Sequence, residues 1–203
     1  MNRATAFLLL LFAAIAALPA TLRANEDSAM PAWMTAPYAN MEGTTETLAT
    51  AHPGKALVVV NVASRCGYTR QYADLQKLQE KFADRGLVVV AFPSNDYGGQ
   101  EPGTDAEILE FCESRFKVTF PVKSKMPTRG DKKSPLYAAL TGPDSVEPGE
   151  VKWNFEKFVI APNGRMVARF RSATEPTSEE MLKAVEEAVG GGGSSRGPRP
   201  TKR

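Results

Sequence analysis

Two continuous apolar runs dominate the hydrophobic pattern, residues 56–62 (ALVVVNV) and 87–92 (LVVVAF). Both are rich in β-branched residues and have the length of strands buried on both faces. Between them, over residues 70–85, Leu75, Leu78 and Phe82 recur at helical spacing, while Lys77, Glu80 and Lys81 take the opposite side. Gly86 stands where such a helix would stop. Strand, helix and strand form a βαβ unit, so the two strands should pair in parallel.

Farther along, Thr104-x-x-Glu107 reads as a capping box. A helix should start at Asp105 and carry Ile108, Leu109, Cys112 and Phe116 on one face. Residues 120–122 read as a short extended piece and 135–140 as a short helix. Two more strands, 155–161 and 165–171, surround Pro162-Asn163-Gly164, and Asn-Gly between such runs predicts an antiparallel hairpin. Thr177-x-x-Glu180 should cap a last helix bearing Met181, Leu182, Val185 and Val189, closed by Gly190. Residues 25–53 have weak patterning and read as a loop-rich lead-in. The order predicts an α/β domain, a mixed central sheet flanked by helices. That is the outline of a thioredoxin-like fold with an insertion between the βαβ unit and the hairpin.

The ends do not share this pattern. Arg3 precedes an uncharged stretch containing Phe7-Leu8-Leu9-Leu10-Leu11-Phe12, then Pro19 and small residues, the make-up of a secretory signal peptide over residues 1–24. An uncleaved anchor is the alternative, since the stretch is nearly long enough to span a bilayer. Pro19 and its small neighbours favour cleavage, no cysteine stands near the cleavage region to carry a lipid, and no later segment is apolar enough to cross a membrane. The expectation is an exported protein, periplasmic or secreted, with no stable membrane insertion after cleavage. Residues 190–203 form a Gly/Ser-rich basic tail, a disordered extension or in part an artificial scar. The chain carries +2 in all, the leader +2 (Arg3, Arg23) and the tail +4 (Arg196, Arg199, Lys202, Arg203), which leaves residues 25–189 at −4. The basicity is therefore not a property of the folded domain, and nucleic-acid binding by it has no support.

The chemistry narrows to few side chains. Cys66 falls where the first strand hands over to a helix, near unpaired backbone N–H groups and the positive end of a helix dipole, both of which favour a thiolate. Its other reading is a cysteine that packs or forms a structural disulfide, which an exported protein permits. Cys112 is the second of two cysteines, at a separation unlike any C-x-x-C or zinc-ligand spacing. His52, the single histidine, lies in a Pro-Gly context that gives no sign of a catalytic base. Gln100 falls in the loop after the second strand, and Trp153 and Asn154 precede residue 155, so all three should approach the sheet edge that carries Cys66. Their amide and indole N–H groups are donors to a thiolate and to a departing peroxide oxygen. Taken singly, Gln100 also reads as a solvated loop residue and Trp153 as core.

Three blocks taken together resemble one family. N-V-A-S-R-C-G-Y-T (61–69), F-P-S-N-D-Y-G-G-Q-E-P-G (92–103) and K-W-N-F-E-K-F (152–158) are similar to the signature blocks of the glutathione peroxidases, in the same order over residues 37–189. The resemblance implies a thioredoxin-like fold and reduction of hydrogen peroxide and organic hydroperoxides. It implies that Cys66 is the peroxidatic residue, supported by Gln100, Trp153 and Asn154, with no cofactor and no metal. Cys112, in E-I-L-E-F-C-E-S-R-F, resembles the resolving cysteine of the non-selenium, thioredoxin-dependent branch. A core cysteine is its other reading. That branch implies a monomer whose reductant is a thioredoxin-like dithiol, with glutathione as the alternative donor. One departure stands out: the second block commonly reads F-P-C-N-Q-F, and this chain has Ser94, Asp96 and Tyr97. Asp96 is expected to face solvent.

Two other enzymes and one non-enzyme compete. A thiol–disulfide oxidoreductase of the same fold needs C-x-x-C, where this chain has Thr69 at the fourth position. The peroxiredoxin pattern would need Pro at Val59 and Ser or Thr at Ala63. A secreted binding domain stapled by a Cys66–Cys112 bridge would show no turnover.

Overall fold

A computed structural model of the chain describes residues 29–191. The signal peptide expected at residues 1–24 and all but the first residues of the expected tail lie outside them. At the centre stand β3 (Ala56–Val62) and β4 (Leu87–Pro93), paired in parallel from Ala56↔Leu87 to Val62↔Pro93. They are joined by α3 (Gln71–Phe82), whose last turn tightens to a 3-10 helix over Ala83–Arg85. Gly86 ends it with φ +86°, a left-handed position that costs glycine nothing.

The hairpin β5 (Lys157–Ile160) and β6 (Met166–Phe170) completes the sheet in the order β4-β3-β5-β6, with β5 antiparallel to β3. Val122 adds one parallel bridge to Ala91 at the β4 edge. The insertion carries α4 (Asp105–Phe116), opened by the Thr104–Glu107 capping box, and α5 (Pro135–Leu140). The last helix is α6 (Glu179–Gly190).

Alternation along β3 divides the interior. Val58, Val60 and Val62 face Leu75, Leu78 and Phe82 of α3, Ile108 and Cys112 of α4, and Met181 and Val185 of α6. Leu57 and Val59 face the other way, toward Leu136, Tyr137 and Leu140 of α5 and toward Trp33 and Met34. A strand buried on both faces needs no polar alternation, so β3 and β4 read as continuous apolar runs.

The structure corrects four expectations. The lead-in is not loop: it contains α1 (Ala32–Thr35), the two-stranded pair β1 (Tyr38–Ala39) and β2 (Thr45–Glu46), and α2 (Leu48–Ala51). Elements of two and four residues are too short to show a period. The cap of α6 is Ser178, whose hydroxyl accepts from the Met181 N–H, and not Thr177. That helix runs through Gly190 to a cap at Gly191, past the expected start of the tail. Strand β5 starts at Lys157 and not at 155, because Phe155 is left-handed with φ +66°.

Candidate active site

Residues 63–70 turn tightly between β3 and α3, and a hydroxyl holds the turn in place. Thr69 Oγ1 donates to the Ala63 carbonyl at 2.9 Å and accepts from the Cys66 N–H at 3.0 Å. The Thr69 N–H donates to the Cys66 carbonyl at 3.1 Å. So fixed, Cys66 keeps a free thiol that is 9% exposed, and the Tyr68 N–H points at its Sγ from 3.4 Å. A backbone donor aimed at sulfur supports whatever negative charge that sulfur carries.

The other sequence-derived positions lean on this turn. Arg65 N–H donates to the Gln100 carbonyl at 3.0 Å, which brings the loop after β4 against the residue preceding Cys66. Gln100 Oε1 accepts from Asn154 Nδ2 at 3.0 Å, and Asn154 is fully buried. Trp153 is 38% exposed, unlike a core residue, and meets Tyr97 edge-on at 5.9 Å between ring centroids. Gly98, at φ +66°, turns the loop between them. A Cβ there would lie 3.7 Å from both the Gln100 side chain and the Trp153 ring, so backbone sign and not space demands the glycine.

Two residues that motif reasoning passed over hold Trp153 and Asn154 in place. Asn61, a fully buried amide within β3, donates from Nδ2 to the Trp153 carbonyl at 3.0 Å and accepts the Glu156 N–H on Oδ1 at 3.0 Å. Its own carbonyl takes the Phe155 N–H at 2.6 Å. Phe155 thereby sits in a conformation that costs a bulky residue about 1–3 kcal/mol, held by these bonds and by edge-on packing against Tyr72 at 5.5 Å. Glu156 is the second. It is fully buried, pairs with Arg169 at 2.8 Å and Arg171 at 2.9 Å, and accepts the Lys152 N–H at 2.6 Å. Arg169 also donates to the carbonyls of Glu147, Gly149 and Glu150, so the whole approach to Trp153 is tied to β6. A lone Asn in an apolar strand and a Glu in a strand-start motif were visible signals; their targets, far away in sequence, were not.

Cys112 takes no part in these hydrogen bonds. It is a free thiol, fully buried on α4 against the β3–α3 side of the core. Burial pushes it up to about 11, the neighbouring Tyr72 hydroxyl opposing and Glu101 and Glu113 reinforcing. Tyr72, Phe111, Phe116 and Phe155 form an aromatic cluster around Tyr72. Between the Cys66 turn and α4 lies a recess of about 230 Å³ lined in part by Ser64, Arg65, Glu101, Glu107 and Phe111. Buried Glu101 accepts from the Ser64 hydroxyl at 3.1 Å there, and burial raises its pKa against that bond.

Asp96 does not face solvent as expected. It is half-buried, and its carboxylate accepts the backbone N–H groups of Thr128 at 2.6 Å and Arg129 at 3.2 Å. Those amides need an acceptor, and Asp96 supplies it. Among the described residues no cluster of His, Cys, Asp and Glu has the makings of a metal site, and no helix is long and apolar enough to cross a membrane.

Comparison with known proteins converges on the same chemistry. The family model described as glutathione peroxidase matches residues 36–141, which takes in the Cys66 and Gln100 blocks and stops before Trp153. The chain is 42% identical over 140 residues to the glutathione peroxidase-like peroxiredoxin HYR1 of Saccharomyces cerevisiae, covering 66% of this chain and 86% of that protein. It is 43% identical over 146 residues to the hydroperoxy fatty acid reductase gpx1 of Synechocystis, covering 67% and 83%. A crystal structure of Trgpx in apo form superposes with a TM-score of 0.62 at 32% identity, over 80% of this chain and 97% of that one. A thiol:disulfide interchange protein of the thioredoxin family from Chlorobium tepidum gives 0.56 at 19% identity, over 79% and 98%, a likeness of fold alone.

Proposed function

The chain belongs to the glutathione peroxidase family and is a thiol peroxidase that reduces hydroperoxides, and from that premise we propose a cycle through two cysteines, Cys66 and Cys112. The Cys66 thiolate attacks one oxygen of ROOH. An S–O bond forms to the terminal oxygen, the O–O bond breaks, RO− leaves as ROH by taking up the proton the Cys66 thiol gave up, and the sulfur is oxidised to a sulfenic acid. Gln100, Trp153 and Asn154 are the donors to the departing oxygen in this proposal. Cys112 then attacks Cys66. An S–S bond forms, the S–O bond breaks, and hydroxide leaves as water after taking the thiol proton. An external thioredoxin-like dithiol, or glutathione, reduces the disulfide.

The observation that carries the reading is the Cys66 turn. A free thiol faces a backbone donor, and the adjacent residue is bonded to the loop that also joins Gln100 to Asn154. Thr69 speaks against the disulfide-exchange alternative. It occupies the position a second thiol would need, and its hydroxyl is spent on Ala63 and Cys66.

A coupled assay decides. Hydroperoxide turnover with a thioredoxin-type donor should vanish in Cys66→Ser. In Cys112→Ser turnover with that donor should fall at least tenfold, while one equivalent of peroxide is still consumed per Cys66. A Cys66→Ser protein as active as wild type overturns the proposal. Export is proposed from the leader-like sequence of residues 1–24, with a donor outside the cytoplasm. Mass analysis of the mature N-terminus checks it, and a protein that retains Met1 in the cytoplasm overturns it.

A further inference from the structure

The three positions at which this chain departs from the F-P-C-N-Q-F pattern meet in one hydrogen-bonded network, which Tyr97 joins through Thr128. Ser94 Oγ donates to Asp96 Oδ2 at 3.0 Å. Thr128 Oγ1 donates to Ser94 Oγ at 3.1 Å, with Asp96 Oδ2 at 3.4 Å. Tyr97 Oη lies 3.0 Å from Thr128 Oγ1. Each hydroxyl has one proton to give, so the bonds run one way, from Tyr97 to Thr128 to Ser94 to the Asp96 carboxylate, which can only accept when ionised. Ser94, Tyr97 and Thr128 are buried, and burial holds Tyr97 up at about 12, so its hydroxyl keeps the proton it donates. Arg129, whose N–H also reaches Asp96, lays its guanidinium over the Tyr97 ring at 5.2 Å.

This chain of hydroxyls ends where the site begins. Tyr97 has its edge contact with Trp153, and Gly98, the next residue, is placed so that a Cβ on it would meet both Trp153 and Gln100 at 3.7 Å. We propose that Ser94, Asp96, Tyr97 and Thr128 act as a clasp that positions Trp153 and Gln100, so that the departures from the family pattern are a matched set which tunes the peroxide step. The inference rests on the peroxidase reading above and deepens it by naming positioning residues that do not touch the reacting atoms. A displacement of about 1 Å at such a support is enough to cost a reaction up to 100-fold.

The test isolates the first half-reaction. In a Cys112→Ser background, the second-order rate constant for peroxide oxidation of Cys66 is measured per titrated thiol, so that misfolded protein does not count. Asp96→Ala and Thr128→Val should each lower it roughly tenfold or more, and the pair together should lose no more than the worse single change, as residues acting as one unit do. Tyr97→Phe removes one oxygen and leaves the ring, which keeps the proposal testable if the others fold poorly. It should cost severalfold in rate and shift the Trp153 emission, read against a Trp153→Phe reference. Rate constants within twofold of the parent, losses that multiply, or an unmoved Trp153 emission would overturn the clasp. A Cys112→Ser parent with no peroxide reactivity at Cys66 overturns the peroxidase reading itself, and the clasp falls with it.

Discussion

Asn61 is the lone polar side chain among the buried residues of β3, and both of its polar side-chain atoms are spent on the segment around Trp153 and Asn154. Replacing it with leucine leaves the Trp153 carbonyl and the Glu156 N–H without partners, each worth about 1–3 kcal/mol when buried. Asn61→Leu should therefore lose roughly 2–6 kcal/mol in urea unfolding and lower the peroxide rate constant as Phe155 relaxes out of its left-handed conformation.

Lys157, fully buried with its ammonium on the carbonyls of Ser172 at 3.3 Å and Thr174 at 2.5 Å, gives a pH signature. Burial lowers it from 10.5 to about 7, against the pull of Glu175 and Glu156. Between those values the unfolded chain binds a proton that the folded chain does not, so stability rises with pH. Cys112, raised from 9.0 to about 11, works in the opposite sense above pH 9. From pH 7 to 9 the wild type should gain roughly 2 kcal/mol, and Lys157→Met should show no such slope. An equal slope in both proteins removes Lys157 as its source. At this scale the sequence shows which residues are unusual, an Asn or a Lys among β-branched neighbours. It does not show what they bind, because the Asn61–Trp153 bond spans 92 positions.

At the scale of elements, α4 and the turn after it govern whether Cys112 is reachable. The helix closes at Lys117, left-handed at φ 55°, with the Val118 N–H on the Cys112 carbonyl at 3.3 Å. Gln76 of α3 clamps the next residue, accepting the Thr119 N–H and donating to its hydroxyl, both at 2.9 Å. Cys112 is fully buried on α4 and disulfide geometry is strict, so the proposed resolution step is expected to need this end of α4 to open. Gln76→Ala should speed Cys66–Cys112 disulfide formation severalfold after a peroxide pulse, followed by mass spectrometry under acid quench. An unchanged rate would place the slow step elsewhere.

The long elements were legible because periodicity accumulates over many residues: β3 was read to its exact ends, and α4 from its capping box. Short ones left no such trace. At α6 two adjacent hydroxyls, Thr177 and Ser178, both qualify as caps from sequence, and only packing selects Ser178.

Across the whole molecule, the Glu156–Arg169 pair couples the hairpin to the segment that leads into Trp153. Both side chains are fully buried, and removing one partner strands the other. Glu156→Gln should cost about 3–5 kcal/mol, read as a lower urea midpoint, whereas loss of the half-exposed Arg165–Glu187 pair should cost under about 1 kcal/mol. The fold was legible because a βαβ unit and an Asn-Gly hairpin leave few ways to build one mixed sheet. The approach of the Gln100 loop to the Cys66 turn, and of Asn154 to Gln100, followed from strand direction. The clasp did not, since Thr128 lies in a polar stretch without any period.

At the far end of the sheet, Trp33 Nε1 donates to the Gly164 carbonyl at 2.9 Å, and a Cβ on Gly164 would meet Pro31 at 2.8 Å. The register of β5 against β3 puts Lys157 at the Cys66 end and Ile160, just before the 161–164 turn, at the other. The described chain is thus moored at the pole opposite the thiol. Anything joined ahead of Met30, whether a tag, a bead or a bilayer, would take hold of the described domain at the end away from Cys66.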